Sequence, residues 1–393
     1  MKEIEFSVME GHAEETRDLL PIMEEFEKEY RIHVNIVTIP WKTAWDQNVK
    51  YGIYGNGPDV SAVGASWIGS LASMRALRPF TSMEIQALGG ARTYFESIWQ
   101  VGQLMNNPTT WAIPWLGDVR VLYYWKDMLE EVGIENFDDA FKTDAALVET
   151  LEKLSKNGCK YPLAITTQAI SQVLHEAAHW VWSAGGDFIS QNGNHVTFSE
   201  PKALEGFKRY FSLLPYISPT SLQVDSGDFF RDRTCPVHIA GLWVPGNITD
   251  TELKDRLGVA KLPGIAYMGG TSLVIWQYTP RYREAFELVR FLSSQPIFYN
   301  KNRQQYNQLP TRRESLNTPI TQNNPFNRTY LQAFQSGRSF PTLRLWGSIE
   351  DRLIPVIANI WAELFADPDQ DLDACLHKHF EPLAERLNIV LEN

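Results

Sequence analysis

The first hundred residues alternate between two hydrophobic periods, and no other feature of the chain limits its fold so strongly. Residues 4–9 (IEFSVM) form a short apolar run that reads as a strand, broken at Gly11. A helical stretch over residues 13–30 follows, in which Leu19, Leu20, Met23, Phe26 and Tyr30 fall at helical spacing and are expected to pack inward. Residues 33–40 (HVNIVTIP) alternate again and end at a proline, residues 43–54 read as a second helix, and GNGPDVSAV at 55–63 is a turn leading into a buried strand. Strand, helix, strand, helix, strand implies a mainly parallel sheet with helices on both faces, in which ligands bind outside the carboxyl ends of the strands. The loops expected at 9–12, 40–45 and 64–67 lie at such ends and carry Glu10, His12, Trp41, Ser66 and Trp67.

A second unit starts in the middle of the chain. Residues 112–134 (AIPWLGDVRVLYYWKDMLEEVGI) read as a strand, a short loop and a helix ended by Gly133. Helices are expected over 144–157 and 171–184, the latter closed by Gly185 and Gly186. Residues 196–214 read as a strand and then a helix, with Ser199 as N-cap and Pro201 in the first turn. After a strand near 237–242, the segments VAKLPG and GGTSLVIW return the chain toward the first unit, and the polar stretch 317–328 reads as a late linker. A length of 393 residues fits two lobes better than one.

Composition narrows the function. Hydrophobic residues make up 44% and charged residues 21%, so the chain can bury a large core. A net charge of −11 without any basic run argues against a nucleic-acid partner, because phosphate binding needs clustered Lys and Arg. No apolar run reaches the ~18 residues of a membrane span, and the opening MKEIEFSV is not a signal peptide, so an exported protein would need a leader trimmed from this sequence. Cys159, Cys235 and Cys375 lack metal-ribbon spacing and read as three buried thiols, with a Cys159–Cys235 bridge left open. Thirteen Trp and fifteen Tyr form an unusually aromatic set, which suits core packing or a sugar-binding surface.

Several ordered segments carry a resemblance: LLPIMEEFEKEYRIHVNI, GNGPDV with a small-residue loop ending in RALRPF, AIPW.GD followed by LYYWKDMLEEVGI, the helix ending at Gly185-Gly186, VTFSEPKALEGFKRY, HIAGLW, VAKLPG, GGTSLVIW and QLPTRRESL. Over about residues 4–365 the sequence resembles the family 1 extracellular solute-binding proteins, which include the maltose and maltodextrin receptors of bacterial importers. Tyr124-Trp125-Lys126-Asp127 departs from that family's usual Tyr-Asn-Lys-Asp. The resemblance implies the type II periplasmic binding protein fold, two α/β lobes with a hinge and an interlobe ligand cleft. The expected lobes are 1–117 with 269–315, and 118–268 with 316–393. It further implies a monomer outside the cytoplasmic membrane that captures a mono- or oligosaccharide by hinge closure and delivers it to the transmembrane subunits of an ABC permease. Neither catalysis nor a cofactor is expected.

On the same resemblance, Asp118 stands at the position of a cleft carboxylate, while Trp243 and Trp346 match positions whose rings stack on sugar. Ser66 and Trp67 fall where hydroxyl-binding side chains are contributed, and Asp59 braces their loop. Trp41, Trp115 and Trp182 sit in or beside loops expected at the cleft, with a core position open for each. Gly269 and Gly270 would let backbone approach a ligand, and Arg312 would reach a hydroxyl or form a surface ion pair. A rival motif is His175-Glu176-Ala177-Ala178-His179, a literal H-E-x-x-H that at helical spacing could hold zinc for a metallopeptidase, with Glu200 as a third ligand. The metzincin extension fails at Trp182 and Gly185, so the five-residue match is expected to bind no metal, and both histidines could border the sugar cleft instead. A cytoplasmic sugar sensor is the remaining alternative.

Overall fold

The computed structural model describes residues 2–10, 19–294, 309–317 and 324–391. His12, the start of the helical stretch expected from residue 13, and half of the expected linker (318–323) lie outside them. The chain divides into two compact units, one of Met1–Asp118, Gly269–Asn327 and Ser339–Gly347, the other of Val119–Met268, Arg328–Arg338 and Ser348–Asn393. The expected second lobe includes everything beyond 315, whereas among the described residues 316–317, 324–327 and 339–347 fall in the first unit. Hydrogen bonds hold the later segment there: Gly347 N–H donates to Ser70 Oγ at 3.0 Å, and Thr342 Oγ1 to the Val101 carbonyl at 3.2 Å.

Among the described residues ten strands form two sheets: β1 (Lys2–Glu10), β2 (Ile32–Pro40), β3 (Val60–Gly64), β4 (Ile113–Val119), β5 (Val121–Trp125), β6 (Leu163–Ala164), β7 (Val237–Ala240), β8 (Leu257–Ala260), β9 (Met268–Ile275) and β10 (Leu309–Pro310). The sheet of the first unit runs β10-β4-β9-β3-β1-β2 and that of the second β6-β7-β5-β8. In the first, β1 pairs in parallel with β2 from Lys2↔Ile32 to Glu10↔Pro40 and with β3 at Phe6↔Val60, while β9 joins β3 antiparallel. Ile4, Phe6 and Val8 are buried on one face of β1. On the other, Ser7 Oγ bonds Ser61 Oγ at 2.5 Å, and Ser61 accepts from Trp276 Nε1 at 2.7 Å, so these buried polar groups are satisfied.

Helix α1 (Leu20–Tyr30) buries Ile22, Met23 and Phe26, each contributing roughly 1.5–3 kcal/mol. Leu19 is buried as expected, but Leu20 is 51% exposed. Ile22 takes the inward place, because Leu20 lies ~100° around the helix from Leu19. The loop expected at 40–45 does not exist: β2 ends at Pro40, which caps α2 (Trp41–Tyr54) directly. A proline at the end of an edge strand forfeits no ladder bond.

In the second unit β5 is buried at all five positions and lies between β7 and β8, with Val121↔Ala240 and Leu122↔Ala260 antiparallel. Arg120 alone separates it from β4, so the chain changes sheets at one residue. Helix α3 (Ser171–Ser183) follows, and α4 (Pro201–Phe211) starts from Glu200, with Pro201 in its first turn. The cap expected at Ser199 is therefore one residue early, and the strand expected before it is only a bridge between Ile189 and Val196. Two long helices, α5 (Trp346–Ala366) and α6 (Leu372–Leu391), end the chain. All three cysteines are free, Cys159 half-buried and the others buried.

Candidate functional site

In the first unit, aromatic rings gather where β2 and β3 end. Trp41 opens α2 and remains 44% exposed, the most open tryptophan of those expected at a site. Its ring lies 6.1 Å from Trp67, inclined by 56°, and Trp45 meets Trp67 at 5.8 Å from one helical turn further on. Trp67 follows the end of β3 and rests on Gly64, where an added Cβ would lie 3.2 Å from the indole. Ser66 beside it is half-buried. Asp59 accepts a hydrogen bond from Glu5 N–H at 2.9 Å and another from the Thr279 hydroxyl, and thus holds the turn before β3. Trp45 was missed in the sequence, although its i,i+4 spacing from Trp41 was the available signal.

The second unit supports an indole differently. Trp243 is half-buried and turns back over Gly241, where a Cβ would come within 2.0 Å of the ring, so only glycine fits beneath it. The Arg120 guanidinium lies 4.8 Å from the Trp243 ring centre and 5.7 Å from that of Tyr267. Such cation–π contacts are worth about 0.5–2 kcal/mol, more when desolvated, and Arg120 is only 2% exposed. Its Nη2 donates to His175 Nδ1 at 3.0 Å, and His175 lies flat on Tyr267, 3.9 Å between ring centres. Burial first and Arg120 second hold the His175 pKa well below its ordinary value, so the imidazole is neutral and accepts through Nδ1. Buried Glu350 lies 3.7 Å from the far nitrogen of His175. Arg120, Tyr267 and Glu350 were not singled out in the sequence. The signal for Arg120 was a lone cation joined to a fully apolar strand.

Other expected positions have structural partners. Trp346 is fully buried and stacked on Phe340, 4.5 Å between ring centres. Trp115 is 5% exposed, edge-on to Phe6 at 6.0 Å, with its indole nitrogen unbonded. Trp182 is buried, bonded to Asp187 at 3.3 Å and covered by the Arg338 guanidinium at 5.1 Å. Arg312 donates to Glu314 at 2.8 Å and to the Leu88 carbonyl at 3.2 Å, committing it to the first unit's own structure. Gly270 has φ 127°, and a Cβ there would reach 1.9 Å from the Leu116 carbonyl, so its close approach is to β4. Buried Gly269 precedes it in β9, Glu10 ends β1, and Asp118 is half-buried near the end of β4.

The H-E-x-x-H residues are each engaged elsewhere. Glu176 accepts from Thr166 N–H at 2.7 Å and from its hydroxyl at 2.9 Å, and burial pushes its pKa up to about 8 despite Arg120 and those bonds. His179 is fully buried, with Nδ1 3.3 Å from the Ile265 carbonyl and Nε2 3.4 Å from Asp144. Glu200 is instead 3.7 Å from His195. With His175 turned to Arg120 and His179 to Ile265 and Asp144, the two imidazoles do not share a partner, and among the described residues no three-ligand cluster includes either. The metallopeptidase reading loses its geometric basis.

These two α/β units have the type II periplasmic binding protein fold. A solute-binding protein bound to α-D-tagatose from Thermotoga lettingae superposes with a TM-score of 0.85, at 20% identity and covering 100% of both chains. Maltose-bound MalE3 of T. maritima gives 0.84 at 21% identity, covering 99% of this chain and 100% of that one. The maltotriose-binding protein of Pyrococcus abyssi is 24% identical over 357 residues, 85% of this chain and 71% of the relative. Residues 12–296 match the family described as bacterial extracellular solute-binding protein, and the chain belongs to that family.

Proposed function

We propose that this protein is the substrate-binding component of an ABC importer and captures a mono- or oligosaccharide outside the cytoplasmic membrane for delivery to permease subunits. The observation that carries the carbohydrate reading is the half-buried Trp243 plate, seated on Gly241 and backed by Arg120. A sugar presents C–H faces that suit a flat indole and hydroxyls that suit nearby polar groups. Support also comes from the relatives, whose names record maltotriose, maltose and tagatose. Trp41, Ser66, Trp67 and Asp118 complete the proposed binding set, and capture is proposed to proceed by hinge closure of a monomer. No helix among the described residues is long and apolar enough to cross a membrane.

The test is a thermal-shift panel of mono- and oligosaccharides with amino acids and peptides as controls. A cognate sugar at about 100 times its dissociation constant should stabilise by about 2.7 kcal/mol. Asp118→Asn, which removes a charge worth about 1.5–3 kcal/mol to a hydroxyl donor, should weaken that sugar about tenfold with the free protein's melting temperature nearly unchanged. Response only to the non-sugar controls would sink the carbohydrate reading.

A further inference from the structure

We infer that the second unit carries a site for one zinc-type divalent cation, built from Glu363 of α5 and Cys375 and His379 of α6. The helices are joined by residues 367–371 (DPDQD), in which Pro368 stops α5 and Asp371 Oδ1 accepts from Ala374 N–H to start α6. Cys375 and His379 are four residues apart on α6, so they share a face, and that face meets Glu363. The carboxylate oxygen, thiol sulfur and imidazole nitrogen of the three all lie within 4.8 Å of one another. Two donors on a tetrahedral zinc are roughly 3.3–3.8 Å apart, given bonds of about 2.0–2.3 Å, so small side-chain rotations close the triangle. His379 Nε2 already lies 2.8 Å from Glu363 Oε2.

The donor chemistry selects the ion. A thiolate beside an imidazole favours zinc over magnesium or calcium, which take oxygen ligands. Cys375 is 3% exposed and Glu363 and His379 are half-buried, which leaves a fourth position to water. The competitor for the carboxylate is Lys378, whose Nζ lies 2.8 and 3.0 Å from the two Glu363 oxygens. Its side chain is 63% exposed and can swing into solvent when the ion arrives. His377 is paired with Glu381 at 2.7 Å and stands outside the cluster. The sequence expectation of no metal weighed the 175–179 motif with Glu200 and the spacing of the three cysteines, and did not pair Cys375 with His379 and Glu363. This cluster spans a helix junction and has no short motif.

Titration of the full chain with Co²⁺ as probe, followed by Zn²⁺ competition against a chromophoric chelator, tests the site. One equivalent should bind with a thiolate-to-cobalt charge-transfer band that persists in Cys159→Ser, Cys235→Ser and His175→Gln. Cys375→Ser should abolish the band, and His379→Gln and Glu363→Gln should each weaken zinc at least about tenfold. His379→Gln keeps the thiol and decides the matter if Cys375→Ser fails to fold. Binding well below one equivalent, a spectrum without the thiolate band, or affinity unchanged in His379→Gln would overturn the site.

Discussion

The two tryptophan plates differ in what supports them. In the first unit Trp67 is propped by Trp41 and Trp45 and rests on Gly64, so its position depends on apolar area and ring contacts. In the second, Trp243 is backed by a buried cation that is itself fixed by a neutral histidine lying flat on Tyr267. The first arrangement has no titrating group among these contacts and should be indifferent to pH. The second is coupled to a polar interior that includes Glu176 and His238, both shifted by burial and both feeling Arg120. One kind of surface can thus be built by area alone or by charge, and the two respond to different perturbations.

The largest effect that would separate them is Trp67→Ala. Removing a buried Trp leaves a cavity and should cost about 3–5 kcal/mol in urea unfolding, with the shape of the pH–stability profile unchanged. A loss that varied strongly between pH 4 and 8 would mean that the first plate also leans on a titrating group.

The next effect belongs to the second unit. Glu176 is raised to about 8 from an ordinary 4.5, so the folded chain holds this proton more tightly than the unfolded chain. Stability should therefore fall as pH rises from about 4.5 to 8, by on the order of 4 kcal/mol, and Glu176→Gln should flatten that limb. His238 has the opposite sense, lowered from 6.5 to about 3 by burial first and Arg120 second. Its folded form resists protonation, so stability is lost as pH falls from 6.5 toward 3. A profile that does not decline on the alkaline side, or declines equally in Glu176→Gln, would break the contrast.

These contrasts explain what could be read from sequence. The βαβαβ start was legible because β1, β2 and β3 are flanked by helices of clear period, and Trp67 was found because it follows the end of a strand. Leu20 and Ser199 were misplaced because the start of a helix depends on single residues that periodicity does not separate. Trp346 and Trp182 stood between ligand ring and core ring in the sequence because a buried Trp and an exposed one have the same letter, and the structure surrounds them with Phe340 and Asp187. The Arg120 support was hidden for another reason: residues 120, 175, 241, 243 and 267 come together only through tertiary packing, and no local pattern joins them.

The smallest expected effect concerns ligand affinity, and it sharpens the comparison most directly. If both plates contact sugar, Trp243→Ala should lose aromatic contact worth about 0.5–1.5 kcal/mol beyond its area, for about a tenfold weaker Kd in all. Trp41→Ala should cost less, because Trp41 is 44% exposed and its ring stands 6.1 Å from Trp67. Arg120→Met tests the support itself: it leaves His175 Nδ1 without its donor, costing about 1–3 kcal/mol of stability, and frees the indole to turn. Affinity should then fall in Arg120→Met although the residue's 2% exposure keeps it from touching ligand, and quenching of Trp fluorescence by acrylamide should rise. Isothermal titration on Arg120→Met, compared with a variant destabilised to the same extent in the first unit, separates the two causes. Equal affinities in those two proteins would show that Arg120 serves stability alone and that Trp243 holds its place without it.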